Sequence, residues 1–433
     1  MGNLTRTVLF SVLAGLTLML SCGGPKVVER PPPVPQPLEP APAEPAGEVS
    51  PVRVLILDAQ KSVRVRSARA ISIGDGEQMG DGGRLQDGGD FSVRCGGGLV
   101  RLVRGGRVVS EASVLSIAPA EEGRIYINGK PYRGGFVFRP VHGKVITINV
   151  LDIDDYIKGV LPAEIGYLQT SQFEAYRVQA VASRSYALSK LEEKSGEIYD
   201  LKATIMDQVY RGVQGESPEA SKAVDGTRGL LAVWNGRPAR TYYCACCGGH
   251  TSDIEISWPW KTSHPYLRGV RDSGEGTKGT SFCRRSPHFR WRVHWSGKTL
   301  ERILKETLPA ELGIKRSAVG ALLDIEALDT APDGRITAVE IETSRGTYRI
   351  SGDRIRWVLR PSEDSDSILK STLFKMSVKR GRGRILSVNL VGGGNGHGVG
   401  MCQAGAIRMA ELGYSAEEIL LHYYPGVTIR RLY

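Results

Sequence analysis

The stretch LDIDDYIKGVLPAEIGYLQTSQFEAYRVQAVASRSYAL, residues 151–188, carries the strongest structural signals in the chain. Its first part, residues 151–165, is a short apolar segment with a Pro-Ala-Glu turn. Its second part predicts a helix, because Ser171 and Glu174 have capping-box spacing. Four residues follow with the spacing of one helical face: Val178, Val181, Ala182 and Ser185.

Glu164 lies just ahead of this predicted helix, between apolar neighbours. A carboxyl group in apolar surroundings loses hydration, which favours its neutral form and raises its pKa. Such a group is suited to general acid catalysis near neutral pH. The alternative is a solvated glutamate in a turn.

Two motifs in this stretch resemble a known family. The segment DDYIKGVLPAEI, followed by EAYRVQAVASRSYAL, is similar to the signature of the SpoIID/LytB family, whose members are lytic transglycosylases of peptidoglycan. The resemblance covers roughly residues 120–433. It implies that Glu164 is the catalytic acid and that the fold is α+β, a mixed, β-rich body with two lobes.

The length and charge of the chain limit its classes of function. A chain of 433 residues can bury more than one core. A formal net charge of +11 predicts an anionic partner. The positive charges are spread out and no nucleic-acid-binding motif is present, so nucleic acid is not the expected partner.

The N-terminal residues predict export and membrane anchoring. Residues 1–21 have the charge and apolar run of a signal peptide, and Cys22 stands at the end of that run, as in a bacterial lipoprotein. Residues 22–51 are rich in proline and predict an extended tether. We therefore expect a lipid-anchored protein outside the cytoplasmic membrane, facing the periplasm; ordinary cleavage or an uncleaved anchor is the alternative.

The remaining chain divides into two predicted domains. Residues 52–119 read as short strands of a small β domain, and residues 120–433 as the catalytic body. Asn128-Gly129 predicts a hairpin within that body. Residues 292–385 predict a second α+β lobe.

Several polar residues are predicted to bind the substrate. The segment DQVYRG resembles a family segment that lines the cleft, which implies glycan contacts for Gln208 and Tyr210. A surface glutamine and a packed tyrosine are the equal alternative. Arg184, in the matching helix, is a further predicted substrate contact.

The sequence YYCACCGGHT predicts a metal site. Cys244, Cys247 and His250 are spaced by three, and Cys283 follows at a distance, which suits a tetrahedral structural zinc. The family has a similar loop, with a metal in some members. A disulfide between Cys247 and Cys283 is the alternative. No cofactor is required for the implied chemistry.

The last motif, GGGNGHGVGMCQAGA at residues 392–406, resembles the family sequence GHGVGMSQYGA. His397 is predicted to orient Glu164 or a sugar hydroxyl, with a loop-bracing hydrogen bond as the alternative. Gln403 is a predicted substrate contact. A Cys–His nucleophile pair with Cys402 is a weaker hypothesis.

One carboxyl candidate suits a lytic transglycosylase, since hydrolytic glycosidases usually need two. The family acts on glycan strands stripped of stem peptides, which implies peptidoglycan as substrate and an N-acetylmuramoyl-L-alanine amidase as functional partner. The alternative function is a non-catalytic wall-binding lipoprotein or amidase enhancer.

Overall fold

The computed structural model describes residues 49–433 except for 81–82, 195, 275–278, 364–366 and 382. The predicted signal peptide, the predicted lipidation site Cys22 and most of the tether lie outside the described residues. Within the described part of the chain, no helix is both long and apolar enough to cross a bilayer. The structure confirms the α+β class, with 27% helix and 37% strand.

The strands form several small and two larger sheets. In chain order the strands of the described residues are β1 (Val52–Gln60), β2 (Ser62–Ser67), β3 (Ile71–Asp75), β4 (Gly83–Leu85), β5 (Gly89–Gly96), β6 (Leu99–Arg104), β7 (Arg107–Ala112), β8 (Leu115–Pro119), β9 (Ile125–Ile127), β10 (Lys130–Tyr132), β11 (Gly135–Val141), β12 (Lys144–Leu151), β13 (Leu201–Lys202), β14 (Leu230–Trp234), β15 (Arg237–Pro238), β16 (Tyr243–Cys244), β17 (Trp291–Ser296), β18 (Leu322–Thr330), β19 (Ile336–Thr343), β20 (Gly346–Ser351), β21 (Phe374–Gly381), β22 (Arg384–Gly392), β23 (Met401–Cys402) and β24 (Thr428–Arg431).

The longest helix of the described residues spans Phe173–Glu193. In chain order the helices of the described residues are α1 (Ile153–Ile165), α2 (Phe173–Glu193), α3 (Pro218–Gly226), α4 (Ile254–Ser257), α5 (Gly297–Leu312), α6 (Arg354–Val358), α7 (Gln403–Glu411) and α8 (Ala416–Tyr423).

The two larger sheets cross the predicted boundary at residues 119–120. The seven-stranded sheet has the order β13-β1-β12-β11-β8-β3-β4, and the six-stranded sheet the order β10-β9-β2-β5-β6-β7. Strand β1 pairs along its length with β12, so Val52 lies opposite Leu151. The strands of residues 52–119 are therefore built into the sheets of the body rather than set apart from it.

The Asn128-Gly129 turn is present as predicted. It joins β9 to β10, with φ angles of 49° and 85°. Both values lie in the left-handed region that a tight two-residue hairpin turn needs.

Residues 153–165, predicted as an apolar segment with a turn, form helix α1 instead. Asp152 caps it by accepting a hydrogen bond from the Asp154 N–H at 2.8 Å. The helix continues past Pro162, where a proline normally disfavours it. Val160 and Leu161 are fully buried, and this packing outweighs the local preference.

Helix α2 forms as predicted but begins differently. It starts at Phe173, after a single 3₁₀ turn, and Ser171 does not cap it. The Glu174 carboxylate instead accepts from the Ala416 N–H at 2.8 Å and so caps α8. The helix is buried on all sides, because α1, α3, α7, α8 and β14 pack around it.

Two larger hydrophobic cores and a small third cluster, formed by Val137, Ile146 and Ile148, hold the described elements together. The larger contains α1, α2, α7, α8 and both large sheets. The smaller contains residues from Trp291 to Leu390. Trp291 and Trp295 are both buried in it, as their alternation in β17 predicts. Near the C-terminus, Ser415 and Glu418 have capping-box spacing and form the capping box of α8.

Candidate active site

Glu164 lies in the last turn of α1, where its carboxyl group is partly buried at the wall of a cavity. Its Oε1 accepts a hydrogen bond from the Val209 N–H at 2.5 Å. Burial raises the pKa of this carboxyl from 4.5 to about 7, and the Val209 hydrogen bond opposes the shift. Near neutral pH the group therefore can both donate and accept a proton.

The cavity beside Glu164 has a volume of about 540 Å³. It is lined by aromatic, charged and amide side chains from several elements. They include Tyr186, Lys190, Asp207, Tyr242, Tyr243, Cys244, Trp258, Trp260, Lys261, Asp353, Arg356, Trp357, Asn395, His397 and Gln403. Aromatic faces next to polar groups are suited to binding a sugar chain.

Gln208 is not among the residues that line the cavity. Its side chain is fully buried, and its amide nitrogen donates to the Tyr243 hydroxyl at 3.0 Å. Its amide oxygen accepts from the Tyr156 hydroxyl at 3.1 Å. Both polar groups of the amide therefore have partners inside the protein. The prediction of a substrate contact is wrong for Gln208, whose side chain instead holds Tyr156 and Tyr243 in place.

Tyr210 and Arg184 also lie outside the cavity lining. The Tyr210 hydroxyl donates to Asn149 at 2.9 Å inside the core. Arg184 is fully buried and forms an ion pair of 2.6 Å with Asp154. Their residue types suited a glycan, but burial with internal partners leaves neither side chain facing the substrate space.

His397 faces the cavity from the Gly-rich loop. The Val399 N–H donates to its Nδ1 at 3.0 Å, which leaves the proton of the neutral ring on Nε2. Its ring packs against Trp258, with centroids 4.7 Å apart. Burial lowers the pKa of His397 to about 4, so the ring is neutral at pH 7. The structure thus contains the loop-bracing bond and presents a neutral ring to the cavity.

Gln403 is the first residue of α7 and lies at the cavity wall. Its amide nitrogen donates to the Gln179 side chain at 3.3 Å. Helix α2 therefore holds the start of α7 in place beside the cavity.

A cationic and aromatic wall was missed from the sequence. Lys261 lies over the rings of Tyr242 and Trp258, 4.5 and 4.4 Å from their centroids. Arg356 pairs with Asp353 at 2.9 Å and comes from the second core region. The sequence SWPWK, residues 257–261, was a local signal for Trp258 and Lys261. Nothing near Arg356 in sequence indicated a place in this cavity.

The two other carboxylates of the cavity are paired. Asp207 accepts from the Tyr186 hydroxyl and the Lys202 N–H and lies 3.4 Å from Lys190. Asp353 is held by Arg356. Glu164 instead accepts from the Val209 N–H, and burial raises the pKa of its carboxyl group.

The cysteines form a buried cluster with a corrected membership. The ligand atoms of Cys247, Asp272, Cys283 and Cys402 all lie within 4.8 Å of one another. The Cys247 and Cys283 sulfur atoms are 3.8 Å apart. Of the four predicted metal ligands, Cys247 and Cys283 therefore lie together. Asp272 and Cys402, which were not predicted, complete the cluster.

Cys244 and His250 are not part of this group. Cys244 lines the cavity, and burial raises its thiol pKa to about 12. The His250 Nδ1 is 2.7 Å from the Thr251 carbonyl oxygen. Regular spacing in sequence misled here, because Cys244 is in a strand while Cys247 follows it in a loop.

The sequence model described as Stage II sporulation protein matches residues 141–234, which contain α1, α2 and Glu164. A domain of unknown function, DUF8618, matches residues 277–400. The chain belongs to the SpoIID family.

The chain is similar to known proteins over most of its length. An uncharacterized protein of Brachyspira hyodysenteriae is 31% identical over 304 residues, covering 70% of this chain and 73% of the relative. Stage II sporulation protein D of Bacillus subtilis is 24% identical, covering 75% and 87%. The amidase enhancer of Bacillus subtilis is 26% identical over 71% of this chain but only 45% of its own length. This membership supports a cell-wall-related function.

Proposed function

We propose that the protein is a lytic transglycosylase that cleaves peptidoglycan glycan strands, with Glu164 as the only acid and base. The observation that supports it most is the burial of Glu164 beside the cavity, which raises its pKa to about 7. The carboxyl group protonates the oxygen between N-acetylmuramic acid and N-acetylglucosamine, and the C1–O bond breaks. The carboxylate then takes the proton of the muramic 6-hydroxyl as O6 bonds to C1.

This sequence of steps consumes no water and returns Glu164 to its protonated form. A hydrolytic glycosidase needs a second carboxyl group to act on water or on the sugar. Asp207 and Asp353, the other carboxylates of the cavity, are held by ion pairs and hydrogen bonds. Their engagement favours the mechanism with a single acid.

The charge of the cavity suits a glycan stripped of its stem peptides. Removal of the peptide exposes a carboxylate on each muramic unit. Lys261 lines the cavity over the rings of Tyr242 and Trp258 and offers it positive charge. Lys190 and Arg356 also line it, but they are paired with carboxylates of the cavity. An amidase that strips the strands is therefore the proposed functional partner, and Cys22 remains the predicted lipid anchor.

A second function is favoured by one relative. The matching protein of Bacillus subtilis is named an amidase enhancer. This chain would then bind the wall and stimulate an amidase without cleaving glycan itself.

Product analysis by mass spectrometry separates the two functions. Amidase-treated peptidoglycan is incubated with the protein, with Glu164→Gln and with Glu192→Gln as a control on the exposed end of α2. We expect 1,6-anhydro ends from the wild type and the control. General acid catalysis contributes 10²–10⁴-fold, so the Glu164 variant should lose on the order of a thousandfold in rate.

Anhydro products from Glu164→Gln at the wild-type rate would refute the assignment. If the wild type and Glu164→Gln both stimulate a purified amidase and neither gives an anhydro product, the enhancer function is favoured instead.

A further inference from the structure

The thiol cluster has the dimensions of a metal site. Two thiolates on one tetrahedral zinc, with Zn–S bonds of about 2.3 Å, lie about 3.8 Å apart. The Cys247 and Cys283 sulfur atoms are separated by 3.8 Å. A disulfide would bring them to about 2.05 Å. All six cysteines of the described residues are free thiols.

Three separate parts of the chain supply the cluster. Cys247 follows β16, Cys283 lies in a 3₁₀ turn, and Cys402 ends β23 just before α7. Each of the three side chains is at least 99% buried. Several thiols gathered at one buried point from distant segments suit a structural metal better than a single bridge, which would use only two.

Asp272 completes the set of four. It is fully buried, and its carboxylate accepts from the Tyr423 hydroxyl at 2.6 Å and from the Cys283 N–H at 2.8 Å. These hydrogen bonds fix its orientation toward the thiols, as is usual around metal ligands. Each carboxylate oxygen keeps a second lone pair for a metal.

A buried arginine supports the loop that carries Cys247. The fully buried Arg335 donates to the Cys247 carbonyl oxygen at 2.9 Å. Its Nε lies 3.2 Å from the buried Asp333 carboxylate, so the charge of the guanidinium group is paired. The loop is therefore held in place beside the cluster, as supporting contacts usually do around metal ligands.

We propose that Cys247, Cys283, Cys402 and Asp272 bind a single tetrahedral divalent metal ion, zinc in the first place. The ion ties the loop after β16 to the start of α7, two segments that also supply Ala245 and Gln403 to the cavity wall. The role of this ion is structural, because none of its four ligands lines the cavity.

The test measures metal content rather than activity. Protein expressed with zinc is purified without chelator and its metal measured by mass spectrometry, with cobalt exchanged in to report thiolate ligands by absorption. We expect about one zinc per chain, lost in Cys402→Ser and in Asp272→Asn. Cys95→Ser is the matched control, since Cys95 lies in β5, outside the cluster.

Cys246→Ser tests the choice of ligands. The Cys246 thiol also interacts with Cys283 and Cys402 but lies outside the set of four. We expect this variant to keep its zinc. Loss of zinc from Cys246→Ser together with retention in Asp272→Asn would overturn the ligand set.

Circular dichroism shows whether a variant that loses zinc is still folded. Cys402→His restores a metal ligand and should recover zinc in part. Peptide mapping without reductant supplies the decisive opposite result. A Cys247–Cys283 disulfide in metal-free wild-type protein would overturn the proposal, whatever the outcome for Glu164.

Discussion

The chemistry of the site depends on the environment of one carboxyl group. Burial raises the pKa of the Glu164 carboxyl group to about 7, while the Val209 N–H donates a hydrogen bond to its Oε1. That hydrogen bond stabilises the carboxylate, so the group can change its protonation state in the course of a reaction.

The rate of glycan cleavage is expected to fall above neutral pH. The first step needs protonated Glu164, and the neutral form is lost as pH rises through about 7. The value of kcat/KM should therefore be level below that pH and fall about tenfold per pH unit well above it. A rate profile from pH 5 to 9 measures this; a rate that keeps rising to pH 9 contradicts it.

The stability of the protein should carry the same signature. Because the pKa of Glu164 is raised in the folded state, its contribution to the free energy of unfolding is full below pH 4.5. This contribution is lost as pH rises through about 7. Glu164→Gln has no charge to bury. We expect it to be more stable than the wild type at pH 8 by on the order of 3 kcal/mol, and equal to it at pH 4. Urea unfolding at both pH values measures this, and a constant difference would contradict the burial of the charge.

Helix α1 must lie close to its neighbours to hold Glu164 at the cavity. Gly159 permits this approach, because a Cβ at this position would be 2.5 Å from the Tyr210 ring and 2.9 Å from the Gly212 carbonyl oxygen. A residue with a side chain would push α1 away from the loop that also carries Val209.

Gly159→Ala is expected to lower both stability and activity. Overpacking costs about 1–3 kcal/mol, so the free energy of unfolding should fall by roughly that amount. Gly226→Ala in α3 is the matched control, since a Cβ there meets nothing within 4 Å. Denaturant unfolding and cleavage rates measure both variants; equal stability of the two would contradict the close packing.

The buried ion pair between α1 and α2 is a second test of this arrangement. Arg184→Met leaves Asp154 in the core and should cost about 3–5 kcal/mol. Arg228 also lies near Asp154, at 3.7 Å, but its side chain is 57% exposed. Arg228→Met should change the free energy of unfolding by less than about 1 kcal/mol. Similar losses in both variants would contradict a structural role specific to Arg184.

Local signals explain which elements were predictable from the sequence. The Asn128-Gly129 hairpin, the core of α2 and the cap of α8 depend on neighbouring residues, and each is present. The helical state of Pro162 depends on tertiary packing, which no local pattern contains. The same holds for Cys402 and Asp272, whose meeting with Cys283 is set by the fold.

At the scale of the whole molecule, the cavity is shared by two hydrophobic cores. Glu164 and His397 come with elements of the larger core, whereas Arg356 and Trp357 come from α6, which packs in the smaller one. The region matched by the domain of unknown function, residues 277–400, therefore contributes to the candidate active site as well as the SpoIID region.

Trp357→Ala tests this contribution. An aromatic face lost from a sugar site costs about 1 kcal/mol, so affinity for stripped glycan strands should fall on the order of fivefold. Binding is measured in Glu164→Gln protein, which is expected to cleave the substrate far more slowly than the wild type. Tyr348→Ala is the control in the same region, because Tyr348 bonds to the Ala318 carbonyl oxygen outside the cavity lining. Unchanged affinity for the Trp357 variant would remove this region from the site.

If one carboxyl group cleaves the glycan without water, no oxygen from water enters the product, and oxygen incorporation is the most direct measurement. Stripped strands are cleaved in water enriched in heavy oxygen, and the new muramic ends are weighed by mass spectrometry. We expect ends that are lighter than a reducing end by one water molecule and free of heavy oxygen. Reducing ends that carry the heavy isotope would contradict it, since they require hydrolysis.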